Sequence, residues 1–176
     1  MRCFLQSIRT FCFKWKNIHH VFLCFILSSC HREDVGAYRL STESFSDAAY
    51  DLQHYQRSLA AELMGFSDER PMHAFGEKRD SGSLSYIREL ALVTGKPAKS
   101  GLSIEARKRI KELKSLKGEQ YRLRLIGMVR EVDQELIGLH VMASTPEGVA
   151  EDSLRAWAAS MLPKLTNNLE ESQSLK

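Results

Sequence analysis

At 176 residues the chain has room for one domain with a real core, and 43% apolar with 27% charged residues excludes a disordered chain. The formal charge of +3 is carried by Arg2, Arg9, Lys14 and Lys16 in the first twenty residues; the remaining 21 basic side chains face 22 acidic ones. A near-neutral body gives a polyanion such as nucleic acid no electrostatic reason to bind.

Residues 1–29 have the layout of a secretory signal: a basic start without acids, an apolar run from Val21 to Leu27, and the small pair Ser28-Ser29. A spanning helix needs about 20 apolar residues, and Lys14, Lys16, His19 and His20 interrupt any longer run. The segment ends Leu27-Ser28-Ser29-Cys30, which resembles a bacterial lipobox. That resemblance implies that Cys30 becomes the first residue of the mature chain and carries lipid on its sulfur. One acyl chain, at about 0.8 kcal/mol per buried methylene, holds a membrane only marginally, whereas two or three make a lasting anchor. It also implies a partner in the membrane itself and a periplasm-facing site in the cell envelope. His31 rather than aspartate after the cysteine favours the outer membrane. Residues 30–43 are polar and aperiodic, a flexible tether. Cys3, Cys12, Cys24 and Cys30 are all the cysteines, so the body can form neither a disulfide framework nor a thiolate metal site.

The body, residues 44–172, lacks strand-like alternation and shows helical spacing instead. Phe45, Ala48, Ala49, Leu52, Tyr55, Leu59 and Leu63 form one stripe ending near Gly65. Ser67-Asp68-Glu69-Arg70-Pro71 offers a cap, acids and a first-turn proline for a second helix carrying Met72, Phe75, Tyr86, Ile87, Leu90 and Val93. Its middle, GEKRDSGS from Gly76 to Ser83, is polar with two glycines and is expected to be loose or kinked. Ser103 can cap a short helix with Ile104, Ile110, Leu113 and Leu116, which Gly118 separates from a stripe of Tyr121, Leu125, Met128, Val129, Val132, Leu136 and Leu139. Thr145-Pro146-Glu147 repeats the start signal before Leu154, Trp157, Met161, Leu165 and Leu169. Short connections favour antiparallel neighbours, so the expected fold is all-α, an up-and-down four-helix bundle with a short extra helix between the second and third long ones.

The first helix rich in phenylalanine and alanine, the pair Leu90-Ala91, Leu116-x-Gly118-x-x-Tyr121 and Trp157-Ala158-x-x-x-Leu162-Pro163-x-Leu165 carry a further likeness. Together they resemble the domain-of-unknown-function 4142 family, ferritin-like bundles exported by many bacteria, over Phe45 to Leu169. The resemblance implies acids and histidines at four points. This chain carries Gln53, Ser83 (after Gly82), Asp133 and Asn168 there. If those four converge on a cavity, they mark a small-ligand site.

Other chemistry is sparse. A di-iron centre uses Glu-x-x-His on two helices, and no such motif occurs; Asp51-x-x-His54 is the nearest imitation and reads as a polar helix face. Glu131 and Glu135 with Asp133 between them could hold a hard cation, but Arg130 and Arg124 are placed to neutralise them on a solvated face. His140 reads as a boundary or capping residue. The run Arg107–Lys114 reads as a solvated amphipathic helix, with lipid headgroups as the other reading. There is no Gly-rich phosphate loop and no Gly-x-Ser-x-Gly elbow. The expectation is a non-catalytic bundle without cofactor, acting in interaction, sensing or stress; the alternative is a metal-binding or redox protein with rearranged ligands.

Overall fold

The computed structural model describes residues 39–99 and 101–175; the segment expected to be a signal, Cys30 and most of the expected tether lie outside the described residues. Among those described, the structure is all-helical: α1 (Thr42–Met64), α2 (Arg70–Thr94), α3 (Ile104–Ser115), α4 (Gly118–Ser144) and α5 (Asp152–Ser174). None of these helices is long and apolar enough to cross a membrane.

Local chemistry sets several ends. The Ser41 hydroxyl accepts from the Ser44 backbone N–H at 3.0 Å and starts α1, and the Ser103 hydroxyl accepts from the Ala106 N–H at 3.1 Å and starts α3. Each such cap satisfies a donor that the first turn leaves open, worth about 1 kcal/mol. The α2 helix stops at Gly95, whose φ of 65° a residue with a side chain adopts reluctantly. Buried Phe45, Leu59, Leu63, Leu90, Leu125 and Leu136 fill the centre, each contributing about 1.5–3 kcal/mol through the area it removes from water.

The helices pack as a bundle. α1 lies against α2 and α4, α5 against α4 and α2, and α3 rests on α4. Across α1 and α4, Phe45 meets His140, Gln56 meets Asp133 and Glu62 meets Tyr121, so these helices run antiparallel. Across α2 and α4, Arg79 meets Asp133 and Tyr86 meets His140; the numbers climb together, so these two run parallel. The reversal expected at every step therefore fails once. Between α2 and α4 the connection contains α3, long enough to carry the chain back along the bundle.

Three local expectations are corrected. The GEKRDSGS stretch is uninterrupted helix. Gly76 allows α2 to approach α1 so closely that a Cβ there would lie 2.8 Å from the Ala60 carbonyl oxygen, while Arg79 and Ser83 point into the core and find partners. Thr145-Pro146-Glu147 does not open the last helix: Thr145 caps the end of α4, and α5 begins seven residues later at Asp152. The Gly148 N–H donates to Thr145 O at 2.9 Å and that of Val149 to Ala143 O at 3.3 Å, folding the segment back onto α4 and burying Val149. Nor does Ser67 cap α2; Glu69 holds that position without a side-chain bond, and Pro71 supplies the start.

Candidate functional site

Halfway along the bundle, positions on the apolar stripes of three helices are polar. On α1 the buried series Phe45, Ala49, Gln53, Gln56, Ala60, Leu63 steps by three and four; on α2 it is Phe75, Arg79, Ser83, Tyr86, Leu90; on α4 Asp133 lies four residues after Val129. Such spacing turns each residue inward, so the polar ones are buried because the helix around them is.

Their hydrogen bonds form one layer. Arg79 grips Asp133 in a fork, Nη1 to Oδ1 at 2.9 Å and Nη2 to Oδ2 at 2.7 Å, with the two side chains 3% and 1% exposed. Gln56 Nε2 donates to the same carboxylate at 2.9 Å, and the Ser83 hydroxyl donates to Gln56 Oε1 at 3.1 Å. From α5, the backbone carbonyl of Asn168 accepts from Arg79 Nη2. The guanidinium also lies over the Phe75 ring, 4.7 Å from its centroid. Burial pushes the Asp133 carboxyl above its ordinary range, while Arg79, Ser172 and Gln56 pull it back. A planar fork of this kind is the arrangement in which a buried carboxylate keeps its charge.

Two buried polar atoms here lack a protein partner: Gln53 Oε1 and Arg79 Nε. Both residues border a cavity of about 220 Å³ that Ser83, Asn168, Lys164 and Tyr86 also line. Of the four positions singled out by resemblance, Gln53, Ser83 and Asn168 thus meet on one cavity, and Asp133 is joined to it through Arg79 and Gln56.

A second cluster adjoins it through Tyr86. His140 lies wholly buried within α4, not at its boundary, and caps nothing. Phe45, Tyr86 and Trp157 surround its ring with centroids 5.4–5.7 Å away. Its Nδ1 donates to the Leu136 carbonyl at 2.8 Å, which leaves Nε2 to accept from the Tyr86 hydroxyl at 3.0 Å. That is the neutral tautomer, and burial holds the histidine below its ordinary 6.5, partly opposed by the Leu136 bond.

The outlying candidates turn out structural. The Asp51 carboxylate accepts from the Ser103 N–H at 2.7 Å and His54 Nε2 bonds to Lys99 O at 2.7 Å, so both fasten the segment after α2 to α1. Glu131 pairs with Arg124 at 2.7 Å and with Arg109, which also reaches Glu135 at 3.5 Å. Arg109 of α3 takes the place expected for Arg130, which instead donates to backbone carbonyls at the end of α5. Asp133 belongs to the opposite face from both glutamates. Among the described residues no group of three or more His, Cys, Asp or Glu is placed to hold a metal ion. α3 buries Ala106 and Leu113 and leaves the charges of Arg107–Lys114 largely in water, with Ile104 exposed.

Sequence reasoning missed Arg79 and Gln56. The signal was available: both fall on the three-and-four spacing of their stripes, where a charge or amide among apolar neighbours needs a buried partner. Comparison with family models, curated proteins and solved structures finds no match to this chain.

Proposed function

We propose that this chain is a lipid-anchored protein of the bacterial cell envelope whose ferritin-like bundle is non-catalytic and works by binding, in interaction, sensing or stress association. The Arg79–Asp133 pair carries the reading. Ferritin-like metal proteins gather carboxylates and Glu-x-x-His ligands inward from their helices. Here the inward carboxylate is Asp133, both its oxygens bonded to a guanidinium. His140, the buried imidazole nearby, has both nitrogens engaged and stays neutral. Neither group is free to ligate a metal or to pass a proton to a substrate.

The topology reading is supported by parallel α2 and α4, because ferritin-like folds join two antiparallel helix pairs by one long crossover. Gln53, Ser83, Asp133 and Asn168, which stand where the family pattern has acids and histidines, lie at or beside one polar layer. The membrane reading rests on Leu27-Ser28-Ser29-Cys30 at the end of a basic and then apolar segment. A periplasm-facing position on the outer membrane follows from that motif and from His31.

Metabolic acyl labelling tests the tether: label is expected on the wild-type chain and absent from Cys30→Ala, and label retained in that variant would refute it. Elemental analysis of natively purified protein tests the bundle. Sub-stoichiometric metal is the expected result; stoichiometric iron, manganese or zinc, lost on substituting Glu131 or Glu135, would replace this reading with a metal-binding one.

A further inference from the structure

We infer that the end of the bundle where α1 begins rests on the lipid bilayer, with Leu92, Val141 and Met142 inserted among the headgroups. This deepens the anchored role proposed above and rests on Cys30 carrying lipid.

Contacts define that end. Thr42 bonds to Glu151, Phe45 meets His140, and the Tyr50 hydroxyl donates to the Lys96 carbonyl at 3.4 Å. The starts of α1 and α5 and the finishes of α2 and α4 therefore lie together. At the opposite end, Tyr121 donates to Glu62 at 2.6 Å and Arg122 reaches Glu69 at 3.3 Å.

The two ends differ in what they show to water. Among the described residues five large apolar side chains are exposed, and three of them, Leu92, Val141 and Met142, stand within one turn of where α2 and α4 finish. Leu92 is 83% exposed and Met142 58%. Pro97, Ala98, Pro146 and Ala150 are exposed in the connections just beyond. The opposite end exposes Leu123 alongside charged Asp68, Glu69, Arg70, Lys117 and Glu119.

Shape, charge and reach all favour a bilayer as the partner. α2 and α4 face each other across the core with α1 and α5 between them, so these side chains ring the end rather than line one groove. A protein partner covers a contiguous patch. A bilayer is flat and yields to separate side chains at one level, taking apolar groups about 5–10 Å deep, one to two helical turns. Lys99 pairs with Asp47 and Arg155 with Asp152, which leaves Arg39 and Lys96 against Glu43, Glu147 and Glu151. This near balance suits zwitterionic headgroups and gives anionic ones no particular hold. Residues 31–41 span at most about 35–40 Å, so an acylated Cys30 keeps the first turn of α1 that close to the surface.

Fluorescence quenching tests this on the full chain, acylated and reconstituted in vesicles of brominated phosphatidylethanolamine and phosphatidylcholine. Met142→Trp and Leu123→Trp place a reporter at either end, both at exposed positions, so both should fold with unchanged helical content. Bromolipid is expected to quench the reporter at position 142 and to leave that at position 123 as bright as in unbrominated vesicles. Adding phosphatidylglycerol should change neither. In the Met142→Trp chain, Leu92→Glu with Val141→Glu is expected to remove the quenching while the protein still floats with the vesicles. Equal quenching at both positions, none at 142, quenching that needs phosphatidylglycerol, or quenching that survives the two glutamates would overturn the inference. Acyl labelling reports the anchor separately. Label without quenching leaves Cys30 as the anchor and removes the docking, whereas missing label overturns the anchor and this inference with it.

Discussion

Two arginine–carboxylate pairs meet α4 within three residues of each other, and they differ in nearly everything but chemistry. Glu131 faces water: its pair with Arg124 is 39% and 45% exposed, and Arg109 shares the same carboxylate. Asp133 faces the core, and its pair with Arg79 is all but sealed. An exposed pair gains little, about 0–1 kcal/mol, because water screens it and two long side chains must be held still. A sealed pair has lost its hydration, so each partner depends on the other, and removing one strands a charge where no solvent can reach it. What separates the two cases is a turn of 200° about the helix axis, two residues at 100° each.

The comparison can be pressed hardest at Asp133. Asp133→Ala is expected to lower the free energy of unfolding by about 3–5 kcal/mol in a urea titration, leaving Arg79 buried and unpaired. Replacing both partners, Arg79→Met with Asp133→Leu, should recover most of that loss. If the double variant is no better than the single one, the layer is held by the amide and hydroxyl bonds more than by the ion pair. Gly76→Ala attacks the same layer from the backbone. A methyl 2.8 Å from the Ala60 carbonyl and 2.9 Å from Met64 Cγ pushes α2 off α1, and a loss of about 1–3 kcal/mol is expected on the same titration.

A gentler probe is pH. Burial lowers the folded-state pKa of His140 below 6.5, so below that value the unfolded chain takes up more protons than the folded one. Its contribution is intact above about 6.5 and is lost as pH falls. Asp133, shifted upward, slopes the other way, gaining as pH falls toward its ordinary range. The difference in unfolding free energy between wild type and His140→Gln, followed from pH 7 downward, isolates the histidine; a flat difference would mean that it titrates normally. The smallest change is expected at the surface. Glu131→Gln should shift stability by less than about 1 kcal/mol, and less still in high salt.

Much of the fold was legible because apolar side chains keep time with the helix. The stripe from Phe45 to Leu63 located α1, and Ser103 marked the start of α3 through its own side-chain bond. The polar middle of α2 was misread because GEKRDSGS contains what a loop contains, two glycines and a mixture of charges. Only the partners on α1 and α4 make it helix, and they lie 20 or more residues away in sequence. Thr145-Pro146 misled for a related reason: a cap and a proline also suit a turn, and the close fit of Gly148 against the carbonyls of Met142 and Ala143 decides for the turn. At the candidate site, Gln53, Ser83, Asp133 and Asn168 were found by resemblance, whereas Arg79 was hidden among exposed charges. Sequence spacing gave its direction but not the carboxylate waiting for it.

Arg130 has a practical consequence for anyone shortening this molecule. Its guanidinium donates to the carbonyls of Ser172, Gln173 and Leu175, at 3.1, 3.3 and 2.8 Å, a clasp from α4 around the last turn of α5. A version cut after Leu169 would spare every apolar anchor of the last helix and still release that clasp, along with Ser172, a neighbour of Asp133. Trimming the tail is therefore expected to fray α5 upward toward Asn168, so a purification handle is better appended beyond Leu175 than substituted for those residues.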